Sequence, residues 1–247
     1  MMSLNVAMAE ITERITLGDP GTPVYRSEPH VARYRYTVDF IEDGMTVLDM
    51  GCGTGYGDQH LEGAGAARVL GVDYSDEALV YARSTFGSAI SQYARGFASS
   101  CPLADDAFDV IVCMEAIEHF PDIDVFLKEV RRVLKPGGMF LVSTPNKLFH
   151  SPHTDEPLNP YHSVEFTLAE FEHILGAHFT VERMLGQQPQ DTARSVAQRF
   201  SPPAWLKRLL LSLPLVQNYF AQSADVFVDE EVGNCRFFYA VCRNAKS

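Results

Sequence analysis

Acidic and histidine side chains that could do chemistry occur in two short stretches of this 247-residue chain. In "MEAIEHFPD", Glu115, Glu118 and His119 follow one another at i, i+3 and i+4, so a helical turn would place them on one face. His162 follows in "NPYHSVEF". The spacing predicts one cluster of two carboxyl groups and two imidazoles.

Three interpretations of this cluster are open. An imidazole titrates at about pH 6.5, so His119 or His162 could take the proton of a hydroxyl acceptor, with Glu115 as a further catalytic candidate. All four side chains could instead bind a divalent metal, Mg²⁺, Mn²⁺ or Zn²⁺, which would acidify a coordinated hydroxyl. In the third interpretation the two carboxylates are structural: one orders a cofactor loop and the other is solvated.

Glycine recurs at every second position in "GCGTGYG", residues 51–57, directly behind the apolar run "TVLDM". The dinucleotide pattern G-x-G-x-x-G fails because Tyr56 and Asp58 stand where its last glycine is needed, and no GKS or GKT marks a phosphate loop. Asp49 would repel a pyrophosphate but can accept from an ammonium group. Asp73 ends the next apolar run, at about the distance at which an acid meets ribose hydroxyls. An ammonium group, a ribose and a close backbone contact without phosphate describe S-adenosylmethionine.

Strand-like and helix-like stretches alternate from residue 46 onward, which indicates an α/β fold with a doubly wound, mostly parallel sheet. The strand-like runs predict seven strands, at 46–50, 68–74, 91–97, 108–114, 139–144, 179–185 and 235–243. The main predicted helices cover 75–86, 123–134 and the segment behind a capping box of Thr167 and Glu170. Ligands of such sheets bind at the carboxyl ends of the strands, which the glycine loop and the Glu–His cluster both follow.

The chain length fits one α/β domain with additions. We expect a single domain over residues 1–247, with an N-terminal helical cap over 1–45, a cofactor-binding core over 46–185, an insertion or lid over 186–234 and a final strand at 235–243. The apolar segment 204–216 could be a lid, a contact with a membrane surface or an interface that makes the protein a homodimer.

Charge and cysteine content restrict the partners and the compartment. The net charge of −12 opposes loose binding to nucleic acid, so no nucleic-acid partner is expected. Five cysteines without C-x-x-C spacing predict a reducing, cytoplasmic location. The sequence has no signal-peptide pattern and no apolar run of about 18 residues, so no transmembrane segment is expected.

Four stretches, in order, resemble the class I S-adenosylmethionine-dependent methyltransferases: "VLDMGCGTGYG", "VLGVDYS", "CPLADDAFDVIVCMEAIEHF" and "LKPGGMFLVSTPN". The resemblance covers about residues 45–185 and implies a Rossmann-like methyltransferase fold. It implies that Asp73 holds both ribose hydroxyls and that Tyr74 packs beside adenine. Phe97 stands where the family usually has an acid, which leaves the adenine amino group to Ala98 or Ser99. The implied cofactor contacts are Tyr25, Arg33, Asp49, Gly51, Cys52, Gly53, Gly55, Asp73, Tyr74, Ala98, Ser99 and Glu115.

The resemblance also bears on the acceptor. The combination "STPN…NPYH…EFT" is similar to bacterial methyltransferases of sugars, glycans or secondary metabolites, so we expect methyl transfer to a hydroxyl of a small-molecule, sugar or glycan acceptor. Phe149, His150 and His153 lie in the loop where the family binds acceptors.

Several alternatives to this function are open. The Glu–His set is similar to that of two groups, the ubiquinone-biosynthesis O-methyltransferases and the enzymes that methylate the 3′-terminal ribose of small RNAs. Metal-assisted 2′-O-methylation of an RNA 3′ end is therefore one alternative, and N- or C-methylation of a secondary metabolite is another. A scaffold that binds the cofactor without turnover is the non-enzymatic alternative, although the glycine loop and the ribose acid are intact.

Overall fold

A mixed sheet of eight strands forms the centre of the computed structural model, which describes Thr16 and residues 24–96, 102–189, 227–229 and 231–246. The strands are β1 Thr46–Met50, β2 Arg68–Asp73, β3 Ser91–Arg95, β4 Phe108–Met114, β5 Leu134–Pro145, β6 Thr180–Pro189, β7 Phe227–Val228 and β8 Cys235–Arg243. Their order across the sheet is β3-β2-β1-β4-β5-β8-β6-β7. Strands β1 to β5 pair in parallel, and β8, β6 and β7 add antiparallel pairs. The predicted doubly wound, mostly parallel α/β sheet is confirmed.

The described part of the sheet has one strand more than the seven predicted. The additional strand β7 is two residues long and pairs with Gly186 and Gln187 of β6. A run of two residues is too short to show a strand period. Strand β6 itself continues to Pro189, beyond the predicted end at residue 185. Strand β5 begins at Leu134, the last residue of the predicted helix 123–134, and not at residue 139.

The central parallel strands β1, β2 and β4 are almost entirely buried, which is why they appear as continuous apolar runs in the sequence. In β4 every residue except Asp109 is buried. Asp109 accepts hydrogen bonds from the backbone nitrogen (2.9 Å) and hydroxyl (2.7 Å) of Thr46, at the start of β1. The polar contact therefore lies at the amino end of the strands, and the opposite end is left for the site.

Six helices and three short 3₁₀ turns connect the described strands. The helices are α1 Val24–Thr37, α2 Asp58–Gly63, α3 Asp76–Phe86, α4 Ile123–Val133, α5 Lys147–His150 and α6 Leu168–Gly176, and the 3₁₀ turns are Val38–Phe40, Ile117–His119 and Val232–Asn234. The predicted N-cap Ser75 accepts from the Ala78 nitrogen. The predicted capping box of Thr167 and Glu170 is present.

Helix α1 is fixed to the sheet by buried polar contacts. The hydroxyl groups of Thr37 and Tyr239, on β8, lie 2.9 Å apart. The Gln187 amide on β6 donates to the Pro29 carbonyl at 2.9 Å. These contacts hold the cap helix against the sheet and thereby place Arg33, which lies between them in the chain.

Some predicted features lie outside the described residues. Ala98, Ser99 and the segment 204–216 belong to these, and of Tyr25 only the backbone, within α1, is described. The division into cap, core and insertion stays a prediction. No helix in the described ranges is long and apolar enough to cross a membrane.

Candidate active site

The loop between β1 and α2 has left-handed backbone at three of its glycines, with φ of +80° at Gly51, +54° at Gly53 and +79° at Gly55. A Cβ on Gly51 would lie 2.6 Å from the Ala116 Cβ, whereas a Cβ on Gly53 would meet no atom of the described residues within 4 Å. Gly53 thus faces open space. It is the point of the loop at which a ligand can approach the backbone most closely.

Asp73 ties this loop to the carboxyl end of β2. Its Oδ2 accepts from the Gly53 nitrogen at 3.0 Å, and its Oδ1 accepts from the Ser75 nitrogen at 2.9 Å. A carboxylate offers about four lone-pair sites, so both oxygens can still accept from a diol. The neighbouring Tyr74 is 50% exposed, so its ring is accessible to a planar group.

Cys52, a predicted cofactor contact, lies within the loop and is buried. Its backbone nitrogen donates to the Val72 carbonyl of β2 at 3.2 Å. Burial raises the pKa of its thiol well above the ordinary value. The side chain is therefore a neutral packing group, and any contact with a ligand falls to the backbone.

Asp49 and Tyr34 lie beneath the glycine loop. The Tyr34 hydroxyl donates to Asp49 Oδ2 at 2.8 Å, and both side chains are buried. A Cβ on Gly57 would collide with the Tyr34 ring, so the last glycine of the stretch makes room for α1. Burial raises the pKa of Asp49 to about 6, against the opposing effect of its hydrogen bonds.

Glu115 departs from the predicted helical turn. Its φ is +51°, and the 3₁₀ turn begins two residues later at Ile117. The prediction that Glu115 shares one helical face with Glu118 and His119 is therefore wrong. Its carboxylate accepts from the Ser143 hydroxyl at 2.8 Å and lies 3.6 Å from the Arg33 guanidinium.

The Arg33 guanidinium lies on this side of the loop and pairs with Glu115, but its N–H donors lack hydrogen-bond acceptors among the described residues. The side chain is 0% exposed, and its Nε, Nη1 and Nη2 make no hydrogen bond within the described part of the chain. Its Cζ lies 4.4 Å from the ring centroid of Phe237 on β8. Buried donors without acceptors are costly, so this guanidinium suits an anionic ligand that enters beside Glu115.

The structure brings His119 and His162 together, with their ring centroids 5.0 Å apart. His119 Nδ1 lies 2.9 Å from the carbonyl oxygen of Tyr161. A carbonyl only accepts, so Nδ1 carries the hydrogen and the lone pair of the neutral ring lies on Nε2. This nitrogen can take a proton or bind a cation.

Glu165 supports His162, although the sequence analysis did not predict it as a site residue. His162 Nδ1 lies 2.7 Å from Glu165 Oε1, and Nε2 lies 2.9 Å from the Asn159 amide nitrogen. Glu165 is 4% exposed. The sequence "HSVE" could have predicted this pair, because an imidazole and a carboxylate three residues apart can meet in a turn.

Glu118 completes the cluster. One ligand atom each from Glu118, His119 and His162 lie within 4.8 Å of one another, and Glu115 is not part of this group. Glu118 is 1% exposed and accepts from the Thr144 hydroxyl at 3.2 Å. Burial and the nearby Glu115 raise its pKa well above the ordinary value. A cation bound at these three side chains would offset that effect.

His150 lies at the other side of Phe237, with ring centroids 5.3 Å apart. Burial and the charge of Arg236 lower the pKa of His150 to about 4, so the imidazole is neutral at neutral pH. Of the three side chains expected near the acceptor, His150 therefore adjoins the Arg33 side of the site through Phe237.

Comparison with known proteins shows what the chain is similar to. Residues 48–142 match the family described as "Methyltransferase domain". A probable S-adenosylmethionine-dependent methyltransferase of Mycolicibacterium smegmatis is 42% identical over 144 residues, which is 58% of this chain and 55% of that protein. A fatty-acid O-methyltransferase of the same organism is 30% identical over 163 residues, 65% of this chain and 56% of that protein. The chain thus spans about half the length of these curated relatives.

The fold also matches solved structures. One chain of the complex between the Haloferax volcanii Trm112 methyltransferase activator and a methyltransferase superposes with a TM-score of 0.66 at 21% identity, over 89% of this chain and 92% of that one. At this identity the likeness concerns the fold alone. It agrees with the Rossmann-like methyltransferase architecture expected from the sequence.

Proposed function

We propose that the chain is a class I S-adenosylmethionine-dependent methyltransferase, which the match over residues 48–142 and the curated relatives support, and that it transfers the cofactor's methyl group to a hydroxyl of a small-molecule, sugar or glycan acceptor. The observation that carries the choice of a hydroxyl is His119, which groups with Glu118 and His162 and has the lone pair of its neutral ring on Nε2. A hydroxyl needs a proton acceptor to become a competent nucleophile, and this imidazole supplies one.

The cofactor side of the proposal uses the residues around the glycine loop. The open face of Gly53 would receive the methionine part, and Asp73 and Tyr74 would take the ribose and the adenine. The unsatisfied donors of Arg33 would pair with the methionine carboxylate, which a buried guanidinium binds well. Each of these groups lies at the carboxyl edge of the parallel strands, where such sheets bind ligands.

Methyl transfer is an in-line displacement, so the protein mainly positions the two reactants. The bond between the acceptor oxygen and the methyl carbon forms as the carbon–sulfur bond breaks, and S-adenosylhomocysteine leaves. The hydroxyl proton passes to His119 Nε2. The Tyr161 carbonyl keeps the ring oriented and stabilises the imidazolium through Nδ1–H.

A divalent cation is a second candidate for the same step, favoured by the compact group of Glu118, His119 and His162. The Nδ1 of His119 contacts the Tyr161 carbonyl, which is the orientation that metal-binding imidazoles have. In His162 the lone pair on Nε2 accepts from the Asn159 amide, so a metal would have to displace that contact. When bound, the cation would acidify the acceptor hydroxyl. Glu115 would stay with Arg33 and Ser143.

Removal of metal separates the two candidates. With His119 as the base, we expect kcat to be unchanged after chelation and dialysis, and unchanged again when Mg²⁺, Mn²⁺ or Zn²⁺ is added. The variant Glu118→Gln keeps the shape of the buried acid and removes its charge, so turnover should fall only slightly. Loss of turnover on chelation with recovery on addition of metal, together with a severe loss in Glu118→Gln, would assign the proton transfer to a cation.

The acceptor itself can be identified by an untargeted experiment. The protein is incubated with methyl-labelled S-adenosylmethionine and an extract of its source, and labelled products are separated and identified. We expect label in a small molecule or glycan, as a methyl ether. Label on RNA, or on nitrogen or carbon, would contradict the proposed acceptor class.

A further inference from the structure

Asp49 and Asp58 form an acid pair beneath the glycine loop. Both side chains are 0% exposed, and they lie close enough for each to affect the pKa of the other. The Tyr34 hydroxyl donates to Asp49 Oδ2, but Asp49 Oδ1 and both Asp58 oxygens have no standard donor within the described part of the chain. Two adjacent carboxyl groups so far from water cannot both be ionised. A proton held by one of them is therefore the donor that the other accepts.

Asp58 is buried because the neighbouring strand leaves room for it. A Cβ on Gly71 of β2 would lie 2.8 Å from Asp58 Oδ2. The ring of Tyr93, on β3, closes the other side, and its hydroxyl donates to the Gly55 carbonyl at 3.4 Å. None of the ion pairs among the described residues includes Asp49 or Asp58. No cation compensates a second negative charge there.

The proton belongs to Asp58. Burial and the charge of Asp49 raise the pKa of Asp58 well above the ordinary value, against the smaller opposing effect of the Tyr93 hydroxyl. Burial also raises the pKa of Asp49, but the hydrogen bonds from Asp58 and Tyr34 lower it again, to about 6. Asp49 is thus the first of the two to ionise as the pH rises, and Asp58 stays protonated as its donor.

We propose that Asp58 is a positioning residue for cofactor binding. Its protonated carboxyl group donates a hydrogen bond to Asp49, which keeps Asp49 ionised and oriented on Tyr34. The negative charge of Asp49 is then directed toward the ammonium group of the cofactor. This role rests on the proposed binding of S-adenosylmethionine.

Asp58 acts through two neighbours. The ionised Asp49 attracts a cation above it strongly, because the charge lies in a medium of low dielectric constant. Its second oxygen holds Tyr34, whose ring packs on Gly57 and whose chain neighbour is Arg33. The acid pair thereby links the loop to the helix that carries the guanidinium of the site.

Matched substitutions test the role of the proton. Asparagine at residue 58 keeps the shape and a donor, whereas leucine keeps the approximate volume and has none. We expect Asp58→Leu to weaken binding of S-adenosylhomocysteine about 10- to 100-fold, because a hydrogen bond to a charged group is lost. Asp58→Asn should bind far more tightly than Asp58→Leu. Asp49→Asn, which removes the charge itself, should lose at least about tenfold.

The pH dependence of binding separates the role of the proton from a loss of packing, because a loss of packing would not shift the pH midpoint of binding. Wild-type affinity should fall about tenfold per pH unit below about pH 6, as Asp49 takes up a proton. Asp58→Leu should shift this midpoint upward, since burial then raises the pKa of Asp49 without the compensating donor. Asp58→Asn should leave the midpoint in place. In Asp49→Asn the pH dependence of binding that is due to Asp49 should vanish. Any pH dependence of binding that is left in this variant belongs to the histidines.

Other titratable groups that face the acid pair could also affect the pH dependence of binding. They are Tyr34 from α1, Cys52 and Tyr56 from the loop, Asp73 from β2 and Tyr93 from β3. The tyrosine hydroxyls and the thiol have pKa values raised by burial, so they stay neutral between about pH 5 and pH 8. Asp73 opposes the ionisation of Asp49, and its charge is common to all the variants.

The outcomes distinguish this role from the proposed function. If the wild-type protein does not bind S-adenosylhomocysteine, the proposed cofactor is wrong. If it binds, but Asp58→Leu keeps the wild-type pH midpoint or Asp49→Asn binds as tightly as wild type, Asp58 is not the positioning donor. Thermal unfolding of each variant shows that folded proteins are compared. The variant Tyr34→Phe removes the second donor to Asp49 without altering the Asp49–Asp58 pair.

Discussion

Replacing His119 by alanine lowers kcat of methyl transfer about 100- to 10,000-fold, the range that a general base contributes. The affinity for S-adenosylhomocysteine should stay at the wild-type value, because His119 lies in the 3₁₀ turn that follows β4 in the chain and not in the glycine loop. The loss arises because the acceptor hydroxyl keeps its proton when Nε2 is absent. Single-turnover kinetics with saturating cofactor measure the effect on the chemical step itself.

His173→Ala is the matched control for this substitution. His173 lies on α6 with an exposed side chain, so the same replacement there should leave kcat unchanged. His162→Ala should give an intermediate loss if His162 assists through its pair with Glu165. A His119→Ala enzyme with wild-type kcat would contradict the assignment of the base and of any metal at this side chain.

Replacing Asp73 by asparagine weakens binding of S-adenosylhomocysteine about 100-fold or more. The carboxylate is expected to accept from two ribose hydroxyls, and each hydrogen bond to a charged group contributes about 1.5–3 kcal/mol. The backbone nitrogens of Gly53 and Ser75 donate to different oxygens of Asp73, so asparagine keeps only one of these two hydrogen bonds and part of the loss arises there. Calorimetric titration measures the affinity directly.

Asp76→Asn is the control for Asp73→Asn. Asp76 is an exposed acid in the first turn of α3, paired with Arg95 at the surface. The same change of charge there should leave the affinity nearly unchanged, because exposed pairs contribute little. Equal affinity in Asp73→Asn and wild type would remove the ribose assignment while leaving the fold intact.

The sheet and the glycine loop were predictable because their signals are local. The apolar runs of the buried strands and the alternating glycines are visible in windows of a few residues. Strand β7 was missed because two residues carry no period.

The details of the site depended on contacts that the sequence does not show. Glu115 leaves the helical conformation to meet Ser143, 28 residues away, and Arg33 from the cap helix. Spacing alone could not reveal these partners, so the shared helical face was predicted wrongly. His119 and His162 were expected in one cluster, and the structure does place their rings together.

Asp58 shows a different limit of sequence reasoning. An acid at the start of a helix is usually solvated and favoured by the helix dipole. Here it is completely buried, because Gly71 on the neighbouring strand has no side chain to fill the space. The contact between residues 58 and 71 arises from the tertiary structure, so no local sequence pattern predicts it.

The measurement that tests the account most directly is a calorimetric titration of the wild-type protein with S-adenosylhomocysteine and, separately, with NAD. The open face at Gly53, flanked by Asp73 and with a buried acid pair below, predicts saturable binding of the sulfur nucleoside and none of the dinucleotide. Tight binding of NAD with no heat from S-adenosylhomocysteine would contradict the proposed cofactor and, with it, the proposed reaction.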